Sequence, residues 1–174
     1  MTLVVSDNSP LNLLIRIGHA EVLPALFQSI VIPPDVANEM AHPKAPAEIQ
    51  AFIASPPPWL AVQAPKTRLT LSHLDPGEVA AISLAVELSA ALLIDEMDGR
   101  QEAQARGLIV IGAIGVLERA ANAGLIPDLA DAHTRIRGLR FHIADAILDA
   151  SFQRHLAYLA ATPKPSAESS DQTS

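Results

Sequence analysis

Five short apolar runs recur along the chain, each stopped by an acid, a proline or a polar residue. They are Leu3-Val4-Val5, Ser29-Ile30-Val31-Ile32, Trp59-Leu60-Ala61-Val62, Ala91-Leu92-Leu93-Ile94 and Leu108-Ile109-Val110-Ile111. Runs this short read as strands, the third of them an edge strand, and continuous apolarity suits strands buried on both faces. Helical signals fill the gaps. Residues 11–17 close at Gly18, residues 21–27 hold Pro24 in their first turns, and Pro34 or Asp35 opens a helix carrying Val36, Glu39 and Met40. Residues 47–54 follow the His42-Pro43 break, and 98–106 form a polar helix closed at Gly107. Asp75-Pro76-Gly77-Glu78 starts a strong helix with Val79, Ile82 and Val86 on one face. Strands alternating with helices predict an α/β protein, three layers deep (α/β/α), around a five-stranded, mainly parallel sheet with right-handed crossovers.

The remainder reads as helical: one segment lined by Ile114, Leu117 and Leu125, another over 129–136, and a last amphipathic helix marked by Ile143, Ile147, Leu148 and Phe152. From Thr162 the composition turns to Pro, Ser, Glu, Asp and Gln. Residues 1–161 are therefore expected to form one domain and 162–174 a disordered tail. A hydrophobic content of 49% over 174 residues supports a sizeable core, and with aromatics at 3% that core must be built from Ala, Leu, Ile and Val. Cysteine is absent, which excludes disulfides and thiolate metal sites and suits a reducing cytoplasm. No signal peptide is expected, and no run approaches the roughly 18 apolar residues of a membrane span. A net charge of −7 argues against a broad electrostatic nucleic-acid surface, though it allows a basic rim around an acidic centre.

Four acids are marked out by position. Asp7 follows the first strand and Asp95 the fourth, Glu39 lies on the helix after the second, and Glu78 opens the helix before the fourth. Strand ends and helix starts on one edge of a parallel sheet converge. If the first and fourth strands are neighbours, Asp7 and Asp95 are expected to face each other where the strand order reverses. Clustered carboxylates repel and take up protons unless a cation neutralises them, and hard oxygen donors suit Mg²⁺ or Mn²⁺. Such a centre suggests phosphodiester hydrolysis. Each acid also has a structural reading: Asp75 and Glu78 as a capping box, Asp95 and Asp98 as caps of the following helix, Glu39 as a solvated helix residue, Asp7 as a turn residue.

The run Val4-Val5-Ser6-Asp7-Asn8-Ser9-Pro10-Leu11 resembles the start of PIN-like domains, in a prokaryotic branch related to VapC-type toxin ribonucleases. Ile32-Pro33-Pro34-Asp35-Val36-Ala37-Asn38-Glu39, Leu74-Asp75-Pro76-Gly77-Glu78-Val79-Ala80-Ala81-Ile82 and Leu92-Leu93-Ile94-Asp95-Glu96 match that branch in order, and Ile111-Gly112-Ala113-Ile114-Gly115-Val116-Leu117 is similar to its next segment. The resemblance implies a sheet in the order 3-2-1-4-5 and a Mg²⁺- or Mn²⁺-dependent endoribonuclease. It implies metal-site acids at Asp7, Glu39, Glu78 and Asp95, with Asp98 a fifth. Glu78 stands where many PIN nucleases have Asp. RNA is then the expected substrate, and a toxin role would add an antitoxin protein as partner.

Two further readings stay open: a PIN-like domain that binds without catalysing, and a Mg²⁺-dependent phosphohydrolase acting on a small substrate. Arg100 is placed to reach a phosphate or to be a solvated helix charge. Arg135, Arg137 and Arg140 form the densest basic cluster, suited to an RNA backbone or to an ordinary charged turn. Asn8 and Ser9 could support a metal from behind its ligands, although capping accounts for Ser9. The six histidines show no ligand spacing, and one Trp and one Tyr give little stacking surface for RNA. The apolar helices 11–17 and 143–159 suit a homodimer face, an antitoxin helix or simple core burial. No membrane partner is expected.

Overall fold

The computed structural model describes residues 2–141 and 143–163. Five strands, β1 (Leu3–Ser6), β2 (Ser29–Ile32), β3 (Leu60–Val62), β4 (Ala91–Leu93) and β5 (Val110–Ile111), form one sheet in the order β3-β2-β1-β4-β5. Every pairing is parallel, so the whole sheet follows the 3-2-1-4-5 order. β1 lies at the centre, with β2 on one side and β4 on the other. The chain therefore winds outward to β3, returns across the sheet to β4, and reverses direction at the β1/β4 boundary.

The pleat sorts side chains into two cores. Val4, Ile30, Ile32, Leu60, Ala91, Leu93 and Ile111 point to one face. There they meet α1 (Asn8–Arg16), α2 (Val22–Leu26), α3 (Pro34–Met40), α4 (Ala47–Ala54), α7 (Ala113–Asn122), α8 (Leu129–Gly138) and α9 (Asp145–Ala161). Val5, Val31, Leu92 and Ile94 point to the other, against α5 (Pro76–Leu88) and α6 (Met97–Ala105). Burial on both faces explains why β1, β2 and β4 read as unbroken apolar runs, whereas the edge strand β3 exposes Ala61 and Val62. The three expected layers are all present.

Helix starts follow local chemistry. Pro34 and Pro76 open α3 and α5, where the missing N–H has no partner to lose. The capping box at α5 forms in full: the Asp75 carboxylate accepts from the Glu78 backbone N–H at 2.9 Å, and Glu78 accepts from the Asp75 N–H at 3.1 Å. α1 differs from expectation. It begins at Asn8, with Asp7 in extended conformation at the N-cap position, so Ser9 and Pro10 already lie in the first turn. Proline is tolerated there because first-turn N–H groups have no helical acceptor. α6 begins at Met97 with Glu96 preceding it, and no side chain caps it, so the expected capping by Asp95 or Asp98 does not occur. Asp98 does lie in the first turn, where its charge complements the helix dipole. Among the described residues no helix is long and apolar enough to cross a membrane. The tail expected over 162–174 lies outside the described residues from 164 onward.

Candidate active site

The carboxyl ends of β1 and β4 open into a cavity of about 350 Å³. Asp7, Asn8 and Ser9 enter it from the β1–α1 junction and Glu39 from α3. His73, Leu74, Asp75 and Glu78 come from the start of α5, and Glu96, Met97 and Asp98 from the β4–α6 turn. Of the acids marked out by sequence, Asp7, Glu39, Glu78 and Asp98 thus share one space. Asp75 and Glu96 join them, the first having been read only as a cap and the second not singled out. A second trough of about 360 Å³ continues along α6, sharing His73 and Asp98. His73 Nε2 lies 3.2 Å from Glu102 Oε1 at its wall.

Local folding brings these groups in. The Asp7 N–H donates to the Leu93 carbonyl at 2.9 Å, extending the β1–β4 ladder by one residue and fixing the Asp7 backbone. Its carboxylate makes no cap bond to α1, so it is left to the cavity, only 5% exposed. Two glycines leave room for the glutamates. A Cβ at Gly77 would run into Glu39 Oε1, and one at Gly99 would come within 3.0 Å of Glu78 Oε1 and 2.5 Å of Ile94 Cδ1.

Electrostatics here are uncompensated. Burial, reinforced by Asp75, Glu39 and Glu78, pushes Asp7 up to about 8 against the pull of the Asn8 backbone N–H. Burial also raises Glu39, with Asp75 adding to the effect and the Asn8 side chain opposing it. Glu78 is raised by burial and by the charges of Asp75 and Glu96, although the Asp75 backbone N–H holds it down. Asn8 Oδ1 is a further buried acceptor without a partner. A set of carboxylate and amide oxygens, joined by one imidazole and with no lysine or arginine lining the cavity, suits a hard divalent cation. Among the described residues, no three carboxylate or imidazole groups converge tightly enough to hold a metal as they stand.

Asp95 departs from expectation. Adjacent parallel strands present level residues to the same face, and Val5 pairs with Leu92, Ser6 with Leu93. Asp7 is therefore level with Ile94 and points toward α5 and α6, whereas Asp95 shares the parity of Leu93 and points toward α7. Its Oδ1 accepts from the Ala113 N–H at 2.9 Å, and Asp95 does not line the cavity. The two acids do not face each other. Burial raises Asp95 as well, opposed by the Ala113 N–H and Arg100. Arg100 donates to the Ile94 carbonyl at 2.9 Å and does not project into the cavity. Two arginines of the basic cluster are engaged within the chain: Arg135 pairs with Asp131 and donates to the Ile17 carbonyl, and Arg137 bridges Asp145 and Asp149.

Residues 3–156 match the profile of the family DUF3368, a PIN domain. Among curated proteins, none matches the chain. The fold is similar to that of a PilT N-terminus domain protein from the hyperthermophilic archaeon Sulfolobus solfataricus P2. The two are 18% identical with a TM-score of 0.52, over 68% of this chain and 92% of that one. At that identity the likeness speaks for the fold alone.

Proposed function

We propose, for a chain that belongs to the PIN domain family, that the carboxylate cavity is the active site of a Mg²⁺- or Mn²⁺-dependent endoribonuclease. The family is one of nucleases, which gives the class of chemistry. The observation that carries the reading is Asp7, a carboxylate 5% exposed and held near pKa 8 by its burial and acidic neighbours. A buried group of that kind is stable as an anion only beside a cation. Asp7, Glu39 and Glu78, with Glu96 and Asp98 at the rim, are the residues that would hold it. When bound, the cation would supply charge neutralisation at phosphate and a more acidic water. Asp7 and Glu78 orient donors from two fixed backbones, the β1–β4 ladder and the capped start of α5. The trough along α6 favours an extended strand over a small phosphorylated molecule, because it prolongs the cavity past Asp98.

RNA cleavage by purified wild type and by Asp7→Asn, with Mn²⁺ and with Mg²⁺, tests this. Wild type should cleave and the folded variant should not; equal cleavage would sink the assignment. A binding role without catalysis is the second reading. It is favoured by the ion pairs that occupy Arg68, Arg135, Arg137 and Arg154 and remove them from a phosphate-binding surface. Calorimetry separates the two, since no heat with millimolar Mn²⁺ selects the binding protein. The proposal places the enzyme in the cytoplasm as the toxin partner of an antitoxin. A small DNA-binding protein encoded beside it would support that role, and a light-scattering mass would show whether it self-associates.

A further inference from the structure

We infer that Asp95 is a positioning residue, clamping the start of α7 to the end of β4, and that Glu96 and Asp98 are the carboxylates this segment turns toward the cation. The inference rests on the nuclease reading for its functional meaning, but the clamp itself is a matter of geometry. Asp95 Oδ1 accepts from the Ala113 N–H at 2.9 Å, the first N–H of α7, which has no acceptor within its own helix. Gly112 lets the carboxylate in: a Cβ there would stand 2.9 Å from Asp95 Oδ1 and 3.0 Å from an Arg100 guanidinium nitrogen. From the other side Arg100 donates to the Ile94 carbonyl at 2.9 Å, and the Ile94 N–H donates to Ile111 at 3.1 Å.

The Ile94 backbone is thus tied to α6 and β5, and the Asp95 side chain to α7. The next residues, Glu96, Met97 and Asp98, line the cavity. Strand parity sends Asp95 to the α7 face and leaves the turn that follows on the side of Asp7 and Glu78. Glu96 and Glu78 line the same cavity, so they belong to one group of carboxylates. Asp95 acts on the site through the turn it holds.

Three variants separate a clamp from a ligand. Asp95→Asn keeps an acceptor oxygen but loses the charge, Asp95→Ala loses both, and Gly112→Ala leaves Asp95 intact while pushing its carboxylate aside. Gly112 has φ −92°, so alanine is tolerated by the backbone. Two readouts are needed: hydrogen exchange of the Ala113 amide without metal, and Mn²⁺ affinity by electron paramagnetic resonance. Asp95→Asn is expected to keep Ala113 protected and to hold Mn²⁺ affinity within about threefold, the effect of one charge outside the cavity. Asp95→Ala and Gly112→Ala should each speed exchange at Ala113 and weaken Mn²⁺ by about 10- to 100-fold, as loss of a supporting group does. Glu96→Gln should weaken Mn²⁺ with Ala113 still protected.

The inference is overturned if Asp95→Asn loses Mn²⁺ as completely as Asp7→Asn, which would make Asp95 a direct ligand. It is equally overturned if Gly112→Ala and Asp95→Ala leave Ala113 exchange unchanged. Wild type that binds no Mn²⁺ would refute the metal-dependent reading instead, and the exchange data would still decide the clamp.

Discussion

Asp7→Asn should make the cation-free protein more stable at neutral pH, although it removes a carboxylate proposed to hold the cation. Asp7 titrates near 8 in the folded chain against an ordinary 3.8, chiefly because it is buried. A carboxyl with a raised folded pKa favours folding while protonated. Its contribution is complete below the unfolded value and is lost as pH climbs through about 8. The rise of about four pH units corresponds to about 5 to 6 kcal/mol, of which about 4 is already lost at pH 7. Water entering the cavity on ionisation reduces that, so the gain for Asp7→Asn is expected at about 2 to 4 kcal/mol at pH 7, and near zero below pH 4. That is a large share of a typical domain's stability. Urea denaturation in EDTA at half-unit steps from pH 4 to 8.5 measures it directly. Wild-type stability should fall away from the variant's across that window, with Glu39 and Glu78 adding a slope common to both. Added Mn²⁺ should close most or all of that gap, stabilising wild type by about 3 kcal/mol at a hundredfold excess over Kd and leaving the variant nearly unmoved. Parallel pH curves for the two proteins would refute the claim that Asp7 is held in an uncompensated site.

Two other perturbations separate site from scaffold. Gly77→Ala replaces glycine at a helical position, worth about 0.5 to 1 kcal/mol of helix stability, but its methyl group displaces the Glu39 carboxylate. Tm should hold within a few degrees while cleavage falls by about 100-fold, the scale of a small misplacement at a reacting centre; undiminished cleavage would remove Glu39 from the site. Asp128→Ala removes the cap of α8, whose carboxylate accepts from the Asp131 N–H at 3.1 Å, and should cost about 1 kcal/mol in chemical denaturation without changing RNA cleavage.

Much of this architecture could be read from the chain because its signals are local. Strands buried on both faces leave unbroken apolar runs, and Asp75-Pro76-Gly77-Glu78 carries its capping box in four consecutive residues. The meeting of Asp7 and Glu78 followed from their places at a strand end and a helix start, and Glu39 joins them from the last turn of the short helix α3. Asp95 was misplaced because proximity to a strand end says nothing about which face a side chain takes. Counting parity back to Leu93 through the pleat would have sent it toward α7, and the register that decides the matter depends on β4 pairing in step with β1. Glu96 was hidden for the same reason. Arg137 looked free because its partners Asp145 and Asp149 become neighbours only when α8 and α9 pack, whereas the Arg135–Asp131 pair lies one turn apart within α8 and was legible from its spacing.

The central place of β1 has a consequence for how such a chain is made. Of these five strands, the one synthesised first pairs on both edges, and its second partner, β4, lies some ninety residues later. Until Ala91–Leu93 emerge, one edge of β1 is open and Asp7 has no ladder to fix it. Non-local parallel pairing is slow to form and exposes strand edges meanwhile. A nascent or truncated chain ending before β4 therefore carries Asp7, Glu39 and Glu78 without the cavity that joins them. Completeness is built into the topology: the carboxylate cavity can form only after β4 has closed the open edge of β1.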